Sequence, residues 1–219
     1  MCLKNIVFIA NACFELGYWP SHFKKSTTIV IPKSNKSSYN SLKFFRPIVL
    51  LNTLNKLIKK AIGERLQFQV IANNFIYQSQ LEGLKFKSIT DAGIVFTHFI
   101  YTGWIKNMST STLAFDITQF FPSLNHCLLS LILGKAGFRS KVINFFSNYL
   151  VNRKITYSWN SFSFHLFDIN VGVGQGSALS SILSTLYLSP FLHILEKCLK
   201  NLHLKISILS FVDNSLLIS

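Results

Sequence analysis

The spacing of apolar residues predicts several helices along the chain. Residues 3–16 are largely apolar and are followed by Gly17, as expected at the end of a helix. A longer helix is predicted to end near Ala72, because apolar residues recur before it at helical spacing. These residues are Leu54, Leu57, Ile58, Ala61, Ile62 and Leu66. Another helix is predicted over residues 90–105, where Asp91 near the start carries a negative charge that suits the helix dipole.

Other segments are rich in β-branched residues or alternate in polarity, and they predict strands. TTIVIPK (27–33) is typical of a strand that ends at its proline, and TLAFDI (112–117) has the apolar pattern of a buried strand. Residues 154–171 predict a hairpin that turns near Asn160 and Ser161. Further helices are predicted over residues 124–136, 140–151 and 177–202. The mixed order predicts an α+β fold rather than a regular βαβ series.

The chain ends in FVDNSLLIS (211–219), in which Asp213 and Asn214 separate two apolar runs. One interpretation is an ordinary β-hairpin, because Asp and Asn favour tight turns and tolerate a positive φ angle. A second interpretation is a catalytic hairpin that holds a metal-binding carboxylate at its tip. The local sequence fits both interpretations, so the choice depends on residues elsewhere in the chain.

Composition adds a strong positive charge to this picture. The chain has 22 Lys and Arg against 8 Asp and Glu, a net charge of +14, and many of the cations lie in one segment. The basic residues of that segment are Lys24, Lys25, Lys33, Lys36, Lys43, Arg46, Lys56, Lys59, Lys60 and Arg65. Only Glu64 opposes them there. This charge predicts a polyanionic partner, either nucleic acid or an acidic membrane surface. An apolar fraction of 49% excludes a disordered tail.

A membrane-spanning segment is not expected. The longest uncharged segment, residues 169–195, is long enough to cross a bilayer, but it contains several polar residues, three glycines and Pro190. The four cysteines are scattered and include no CxxC pair, which predicts neither a disulfide framework nor a zinc site. His126 and Cys127 are adjacent, which is poor geometry for binding one metal, so we interpret them as incidental. Reduced thiols indicate an intracellular protein.

Two of the 8 acidic residues, Asp116 and Asp213, lie inside strongly apolar strand patterns. A carboxylate is costly to bury unless it is paired or binds a cation. Each aspartate by itself fits a strand end that faces water. Together they make a metal pair plausible, because two carboxylates on neighbouring strands repel each other unless Mg²⁺ neutralises them. Two such ions can activate a 3′-hydroxyl and stabilise a leaving pyrophosphate.

The glycines Gly172, Gly174 and Gly176 follow a predicted strand and precede a predicted helix, and Glu196 lies further along. This arrangement mimics a dinucleotide-binding fingerprint. Glu196, however, lies within a helical pattern rather than at the end of a second strand, and the third glycine comes one position early. We therefore favour a different role for this turn.

Five segments can be considered together: IPK (31–33) with FRPIVLLNTLNKLIKKAIGERL (45–66), QSQLEGLKFKSITDA (78–92), AFDITQFFPSLNH (114–126), GVGQGSALSSIL (172–183) and FVDN (211–214). In this order, and over nearly the whole chain, they resemble the motifs of the reverse transcriptases of non-long-terminal-repeat retrotransposons. The last segment is similar to the family's [Tyr/Phe]-x-Asp-Asp box. Because the segments keep the family's order and spacing, they indicate the family more strongly together than any one does alone.

The resemblance implies a right-hand polymerase fold with fingers (1–110) and palm (111–219) subdomains and a missing or truncated thumb. It also implies RNA-directed DNA polymerase activity, in which dNTPs are added to a primer 3′-hydroxyl with Mg²⁺, or Mn²⁺, as cofactor. The implied partners are an RNA template, a DNA primer and the dNTP. The implied location is the nucleus or a cytoplasmic ribonucleoprotein.

The resemblance also implies roles for single residues outside the metal pair. Arg46 matches the arginine that contacts the incoming triphosphate, with Lys33 as a helper. Phe121 matches the aromatic residue that excludes a ribose 2′-hydroxyl. Gln175 and Gly176 match residues that line the nucleotide and template site.

Asp116 and Asp213 match the family's metal ligands, but Asn214 stands where the family has the second Asp of its box. Asn keeps the shape of Asp and can coordinate through its carbonyl oxygen, but it lacks the charge, so metal affinity is expected to fall. The family pattern is also broken at Phe120, Ser181 and Leu84. Asn214 also fits harmless turn variation, but we favour a decayed or partial copy. We expect either an impaired polymerase or a catalytically inactive nucleic-acid-binding remnant.

Overall fold

A computed structural model of the chain describes residues 2–81, 83–159, 162–174, 176–211 and 213–219. The helices are α1 (Cys2–Glu15), α2 (Thr53–Ala72), α3 (Ile89–Ile105), α4 (Phe120–Ser123), α5 (His126–Lys135), α6 (Ser140–Leu150) and α7 (Ala178–Asn201). The strands are β1 (Lys25–Pro32), β2 (Phe45–Leu50), β3 (Thr112–Asp116), β4 (Arg153–Trp159), β5 (Phe162–Ile169), β6 (Ser207–Phe211) and β7 (Asn214–Ile218).

The chain divides into two compact units, and each takes two separate segments. The first unit consists of Met1–Gly63 and Phe121–Ser180, and the second consists of Glu64–Phe120 and Ser181–Ser219. Helices α2, α4 and α7 contribute residues to both units. The division into fingers and palm at residue 110 stays a prediction.

The first unit contains a four-stranded sheet in the order β2-β1-β4-β5. β1 pairs antiparallel with β2 and parallel with β4, and β4 pairs antiparallel with β5. The β-branched run Thr27 to Ile31 occupies the middle of β1, as its composition predicts. The predicted hairpin of residues 154–171 is confirmed in β4 and β5, while its predicted turn at Asn160 and Ser161 lies outside the described residues.

An aromatic core holds the helices of the first unit together. Trp19, Phe145 and Phe146 are fully buried, and Trp19 meets Phe145 edge-on with ring centroids 5.9 Å apart. Lys59 is also buried, and its ammonium lies 5.7 Å from the Trp19 ring and 5.0 Å from the Tyr149 ring. Aromatic faces attract such a cation, which offsets part of the cost of burying it.

The second unit contains a three-stranded antiparallel sheet in the order β3-β7-β6. Its core is built largely on α7, where Ser189 accepts a hydrogen bond from the Tyr77 N–H and donates one to the Gln80 side chain. α7 is the one helix in the described part of the chain that is long and apolar enough to cross a membrane. More than half of its most apolar stretch is buried in the protein, which is typical of a core helix.

Most predicted elements are confirmed, and the local signals explain why. Helix α3 begins with a capping box, in which the Ser88 hydroxyl accepts from the Asp91 N–H and the Asp91 carboxylate accepts from the Ser88 N–H. The predicted helix of residues 124–136 is confirmed as α5, which begins two residues later at His126, because the Asn125 side chain caps it by accepting from the Leu128 N–H.

The prediction that TLAFDI is a buried strand is wrong. Strand β3 is the edge strand of its sheet, and apart from half-buried Phe115 its residues are exposed, Leu113 to 62%. An apolar sequence shows that a strand can be buried, but it does not show whether the strand has a neighbouring strand on each side. In this sheet β3 lies at the edge and pairs with β7 on one side. Asp116 therefore faces solvent, and its carboxylate carries little of the burial cost expected from the pattern.

Candidate functional site

The last two strands form the hairpin that the sequence predicts, but its turn is placed differently. Phe211 pairs with Asn214, so Asn214 belongs to β7 and Asp213 lies in the connection between the two strands. The sequence places both residues in the turn, but the structure places Asn214 in the strand. Asn214 begins β7, where it pairs with Phe211 and Asp116.

This register brings Asp116 and Asp213 to the same end of the sheet. Asp116 is the last residue of β3 and lies opposite Asn214. The next residue, Ile117, donates its backbone N–H to the carbonyl oxygen of Asp213 at 3.1 Å. Of the predicted site residues, the second unit thus assembles Asp116, Asp213 and Asn214 in one place.

The ionisation of Asp213 depends on its burial and on the neighbouring Asp116. Burial raises the pKa of the half-buried Asp213, and the negative charge of Asp116 raises it further, while a backbone hydrogen bond acts in the opposite direction. Among the described residues, neither aspartate forms a salt bridge with Lys, Arg or His. The site therefore holds two acidic groups without a cation to balance them, which is the electrostatic environment that a bound metal ion relieves.

Asn214 supplies the third polar side chain of the site. Its side-chain nitrogen donates a hydrogen bond to Oδ1 of Asp213 at 3.2 Å. This leaves the carbonyl oxygen of the Asn214 amide as a neutral acceptor beside the two carboxylates. No group of three or more His, Cys, Asp or Glu side chains able to hold a metal occurs within the described ranges. The donor set is all oxygen, as Mg²⁺ prefers, but it carries only two negative charges.

In the first unit, the predicted triphosphate residues lie at one end of the β1–β2 ladder. Arg46 pairs with Ile31, and Lys33 follows β1 and donates its N–H to the Phe44 carbonyl at 2.8 Å. The Lys33 carbonyl also accepts the hydroxyl of Tyr39 at 2.8 Å. Arg46 is exposed, so its guanidinium is free to meet an anion in solvent.

The glycine turn (172–177) is bound to the segment that contains Phe121. The Val173 N–H bonds the Phe121 carbonyl at 2.8 Å, and the Gly172 N–H bonds the Leu124 carbonyl at 2.8 Å. Gly176 has a φ angle of +95°, which favours glycine, although a side chain there would meet open space. Gln175 lies outside the described residues. The first unit thus brings Phe121 and Gly172 together, and Gly176 lies in the same turn.

His126 and Arg153 are part of this arrangement, and sequence reasoning missed both. Nε2 of His126 lies 2.8 Å from the Gly172 carbonyl oxygen, and Arg153 donates to the same oxygen at 2.6 Å. The sequence interpretation of His126 concerned metal binding and did not anticipate this hydrogen bond. The adjacent Cys127 gave no useful signal, and nothing in the local sequence around Arg153 points to a carbonyl so distant along the chain.

The structure excludes the dinucleotide-binding alternative for the glycine turn. That motif requires a parallel strand–helix–strand unit, whereas β5 before the turn pairs antiparallel with β4. Glu196 lies inside α7 and forms a salt bridge with Lys200 at 2.9 Å, one helical turn away. No acidic side chain at the end of a following parallel strand is therefore available for a ribose among the residues that the structure describes.

A family model and two curated proteins match the sequence of the chain. Residues 31–219 match the family model described as reverse transcriptase (RNA-dependent DNA polymerase). The chain is 25% identical over 197 residues to the transposon TX1 uncharacterized 149 kDa protein of Xenopus laevis, covering 90% of this chain and 15% of that protein. It is 26% identical over 191 residues to the RNA-directed DNA polymerase from the mobile element jockey of Drosophila melanogaster, covering 85% of this chain and 20% of that protein.

Solved structures of telomerase have a similar fold. One is telomerase from Candida albicans with a TWJ fragment of telomeric RNA, at a TM-score of 0.61 and 14% identity, covering 92% of this chain and 39% of that one. Another is apo telomerase from Candida tropicalis truncated from its C-terminal domain, at a TM-score of 0.63 and 15% identity, covering 90% and 44%. At these identities the likeness shows the fold alone, and it confirms the expected α+β polymerase fold.

The curated relatives are proteins of LINE-type transposons, which confirms the resemblance to the non-long-terminal-repeat group. The chain spans no more than about a fifth of the length of either relative. The family model, in contrast, matches most of the chain, from the predicted fingers motif to the final hairpin. The chain belongs to the reverse transcriptase (RNA-dependent DNA polymerase) family.

Proposed function

We propose that this chain is the nucleotide-adding region of a retrotransposon reverse transcriptase. The reaction is transfer of a nucleotidyl group from a dNTP to the 3′-hydroxyl of a DNA primer annealed to an RNA template. The single observation that carries the proposal is the placement of Asp116 and Asp213 at the same end of one sheet, unbalanced by any salt bridge among the described residues.

Asp116 and Asp213 are the residues that would hold divalent metal, with the Asn214 carbonyl as a weaker third donor. The all-oxygen donor set suits Mg²⁺, or Mn²⁺ in its place. The chemistry that the bound ions supply is activation of the primer 3′-hydroxyl and stabilisation of the leaving pyrophosphate. The carboxylates contribute negative charge from backbone positions that are held in place, because Asp116 is paired within β3 and the Asp213 carbonyl accepts the N–H of Ile117.

The first unit would bind the substrate. Arg46 and Lys33 carry the charges for the triphosphate, since a guanidinium offers a planar fork of donors and an ammonium a compact charge. Phe121 would restrict the space for a ribose 2′-hydroxyl. Gln175 and Gly176 would line the nucleotide and template, where a glycine permits close approach of the backbone.

The basic segment supports RNA template and DNA primer as partners. The cations between Lys24 and Arg65 are opposed by one acid, so they can neutralise phosphates along a nucleic-acid backbone. A function of this kind places the protein in the nucleus or in a cytoplasmic ribonucleoprotein, which we propose as its location.

Asn214 makes impaired activity part of the proposal. It lowers the number of carboxylates from the family's three to two, and its amide occupies Oδ1 of Asp213. The same observation favours a second candidate function, a catalytically inactive nucleic-acid-binding remnant that keeps the fold and the basic surface. The two candidates differ in turnover and agree in nucleic-acid binding.

Primer extension separates the two candidates. The assay uses an RNA template, a DNA primer and dNTPs with Mg²⁺ or Mn²⁺, and compares the chain with Asn214→Asp. The polymerase proposal expects slow extension by the chain and faster extension by Asn214→Asp. If both forms bind the primer–template and neither extends it, the remnant is the correct function. If neither binds it, both candidates are wrong.

A further inference from the structure

We propose that His126 and Arg153 are positioning residues that fix the carbonyl of Gly172 and thereby hold the glycine turn against the segment 121–124. The inference rests on the proposed function in one respect, which is that the turn and Phe121 select the nucleotide. The contacts themselves lie wholly within the first unit and exist whatever the chain catalyses.

Two donors converge on one oxygen. Nη2 of Arg153 lies 2.6 Å and Nε2 of His126 lies 2.8 Å from the Gly172 carbonyl oxygen. Because a carbonyl oxygen only accepts, Nε2 of His126 carries the hydrogen. The 3.5 Å approach of Nη2 to Nε2 is then a contact between two donors that share an acceptor, not a bond between them.

Arg153 connects the turn to a second element. Its Nη2 also donates to the Val171 carbonyl at 2.8 Å, and its Nε donates to the Leu150 carbonyl at 3.1 Å. Leu150 is the last residue of α6, so one guanidinium joins the end of that helix to the start of the turn. No carboxylate pairs with Arg153 in the part of the chain that the structure describes. Within that part of the chain, its guanidinium donates to three backbone carbonyls.

The other side of the turn is held by the segment 121–124. The Gly172 N–H donates to the Leu124 carbonyl, and the Val173 N–H donates to the Phe121 carbonyl. Gly172 is therefore hydrogen-bonded through both its N–H and its carbonyl. Gly172 has a φ angle of +69°, and a Cβ atom there would collide with the Pro122 carbonyl. The backbone path at this point is therefore tightly determined, and His126 and Arg153 are the side chains that determine it.

Loss of the hydrogen bonds from His126 and Arg153 to the Gly172 carbonyl is expected to move the turn relative to Phe121. A displacement of this kind changes how a nucleotide is held more than it changes the chemistry, since neither side chain is a metal ligand. We expect the KM for dNTP to rise about 10-fold or more, kcat to change less, and the preference for dNTP over rNTP to fall.

The experiment compares four variants of the full chain. Arg153→Lys keeps the charge but lacks the fork of donors, His126→Leu removes the shared donor, and His126→Gln restores an N–H at the Nε2 position. The matched control is Arg139→Lys, at an exposed N-cap position where the side chain makes no capping bond. For each variant, hydrogen exchange of the peptide covering 171–177 and the melting temperature are both measured. Nucleotide kinetics are measured in whichever background extends primers, the native chain or Asn214→Asp.

The expected result is faster exchange at 171–177 in Arg153→Lys and His126→Leu, with recovery in His126→Gln and no change in Arg139→Lys. Unchanged exchange at 171–177 overturns the inference, as does an increase spread equally over the whole first unit. An unchanged KM and nucleotide preference in an active form also overturns it. Because exchange needs no turnover, a local exchange effect without any primer extension leaves the positioning role standing and rejects the proposed function.

Discussion

The side chain of Asn214 donates a hydrogen bond to the carboxylate of Asp213, with 3.2 Å between Nδ2 and Oδ1. The pair lies beside Asp116, the last residue of the neighbouring strand β3. The amide therefore donates a hydrogen bond to one oxygen of a site that contains two like charges. A third carboxylate at this position would add repulsion in the absence of metal and attraction in its presence. If Asp116 and Asp213 hold a metal as proposed, Asn214 lowers the affinity for that metal and stabilises the metal-free protein.

These two consequences of Asn214 predict opposite effects of Asn214→Asp with and without metal. In EDTA the variant should lose the amide hydrogen bond and gain repulsion, at a cost of about 1 kcal/mol or roughly 2–4 °C in melting temperature. Addition of Mg²⁺ or Mn²⁺ should raise the melting temperature of the variant more than that of the native chain, because the ion binds the folded state. Thermal melts in both conditions measure this.

Asn40→Asp is the control for that measurement, since it adds the same charge in an exposed polar loop. It should show no metal-dependent shift beyond that of the native chain. Equal metal-induced shifts in the native chain and in Asn214→Asp would show that residue 214 does not contribute to a cation site.

The glycine turn predicts a sharp difference between glycine positions. Gly172→Ala should destabilise the protein by about 1–3 kcal/mol, because it combines a left-handed backbone with a collision at the Pro122 carbonyl. Gly93→Ala is the matched control, since a Cβ atom there meets nothing within 4 Å inside α3. Alanine in that helix should stabilise by about 0.5–1 kcal/mol. Urea midpoints of the two variants test the difference, and equal effects would contradict it.

His126 predicts a loss of stability in acid. Burial lowers the pKa of its imidazole below the usual value, the nearby Arg153 charge lowers it further, and the hydrogen bond to Gly172 acts in the opposite direction. A lowered pKa means that the folded state resists protonation. The stability is complete above the pKa of the unfolded chain, about 6.5, and is lost as the pH falls through the lower folded value.

Urea midpoints at about pH 7.5 and about pH 5.5 test this prediction, because they bracket the unfolded pKa. The native chain should lose more stability over this range than His126→Gln, which cannot take up the proton. His165→Gln, at an exposed position on β5, controls for removing one histidine. An equal acid response of His126→Gln and the native chain would refute the account of the buried imidazole.

The basic segment predicts salt-dependent binding of nucleic acid. The double variant Lys36→Gln/Lys43→Gln should bind an RNA–DNA primer–template less tightly and reduce the slope of log affinity against log salt by about 1 for each phosphate that is no longer neutralised. Lys4→Gln/Lys205→Gln removes the same charge at exposed positions outside the segment. Filter binding over a salt series would contradict the prediction if both double variants changed the slope equally.

The sequence predicted local features better than the contacts between distant segments. The capping box at Ser88 and Asp91 is readable because both partners lie within one helical turn. The exposure of β3 was not readable, since Leu113 and Phe115 show that the strand can be buried but not that it lies at a sheet edge. The hairpin was predicted, yet Asn214 lies in β7 rather than in the turn, and the sequence could not show this because Asp and Asn are both good turn residues.

The candidate site shows the same limit. The apolar context of Asp116 and Asp213 suggested a pair, and the backbone register brings them together. The hydrogen bonds from His126 and Arg153 to the Gly172 carbonyl could not be predicted, because they join three segments that are distant from one another in the sequence. The physical cause is that every residue has a backbone carbonyl, so the sequence does not show which carbonyl accepts a side-chain hydrogen bond.

The most direct test of the central claim is single-nucleotide primer extension by Asn214→Asp, with and without Asp116→Asn, in Mn²⁺. The account predicts extension by Asn214→Asp and a loss of roughly 100-fold or more when Asp116→Asn is added, since a metal ligand is removed. Asp168→Asn, at an exposed position on β5, is the matched control and should keep the activity. Extension that survives Asp116→Asn, or that is absent from a folded Asn214→Asp form, would contradict the claim that Asp116 and Asp213 form the metal site of a polymerase.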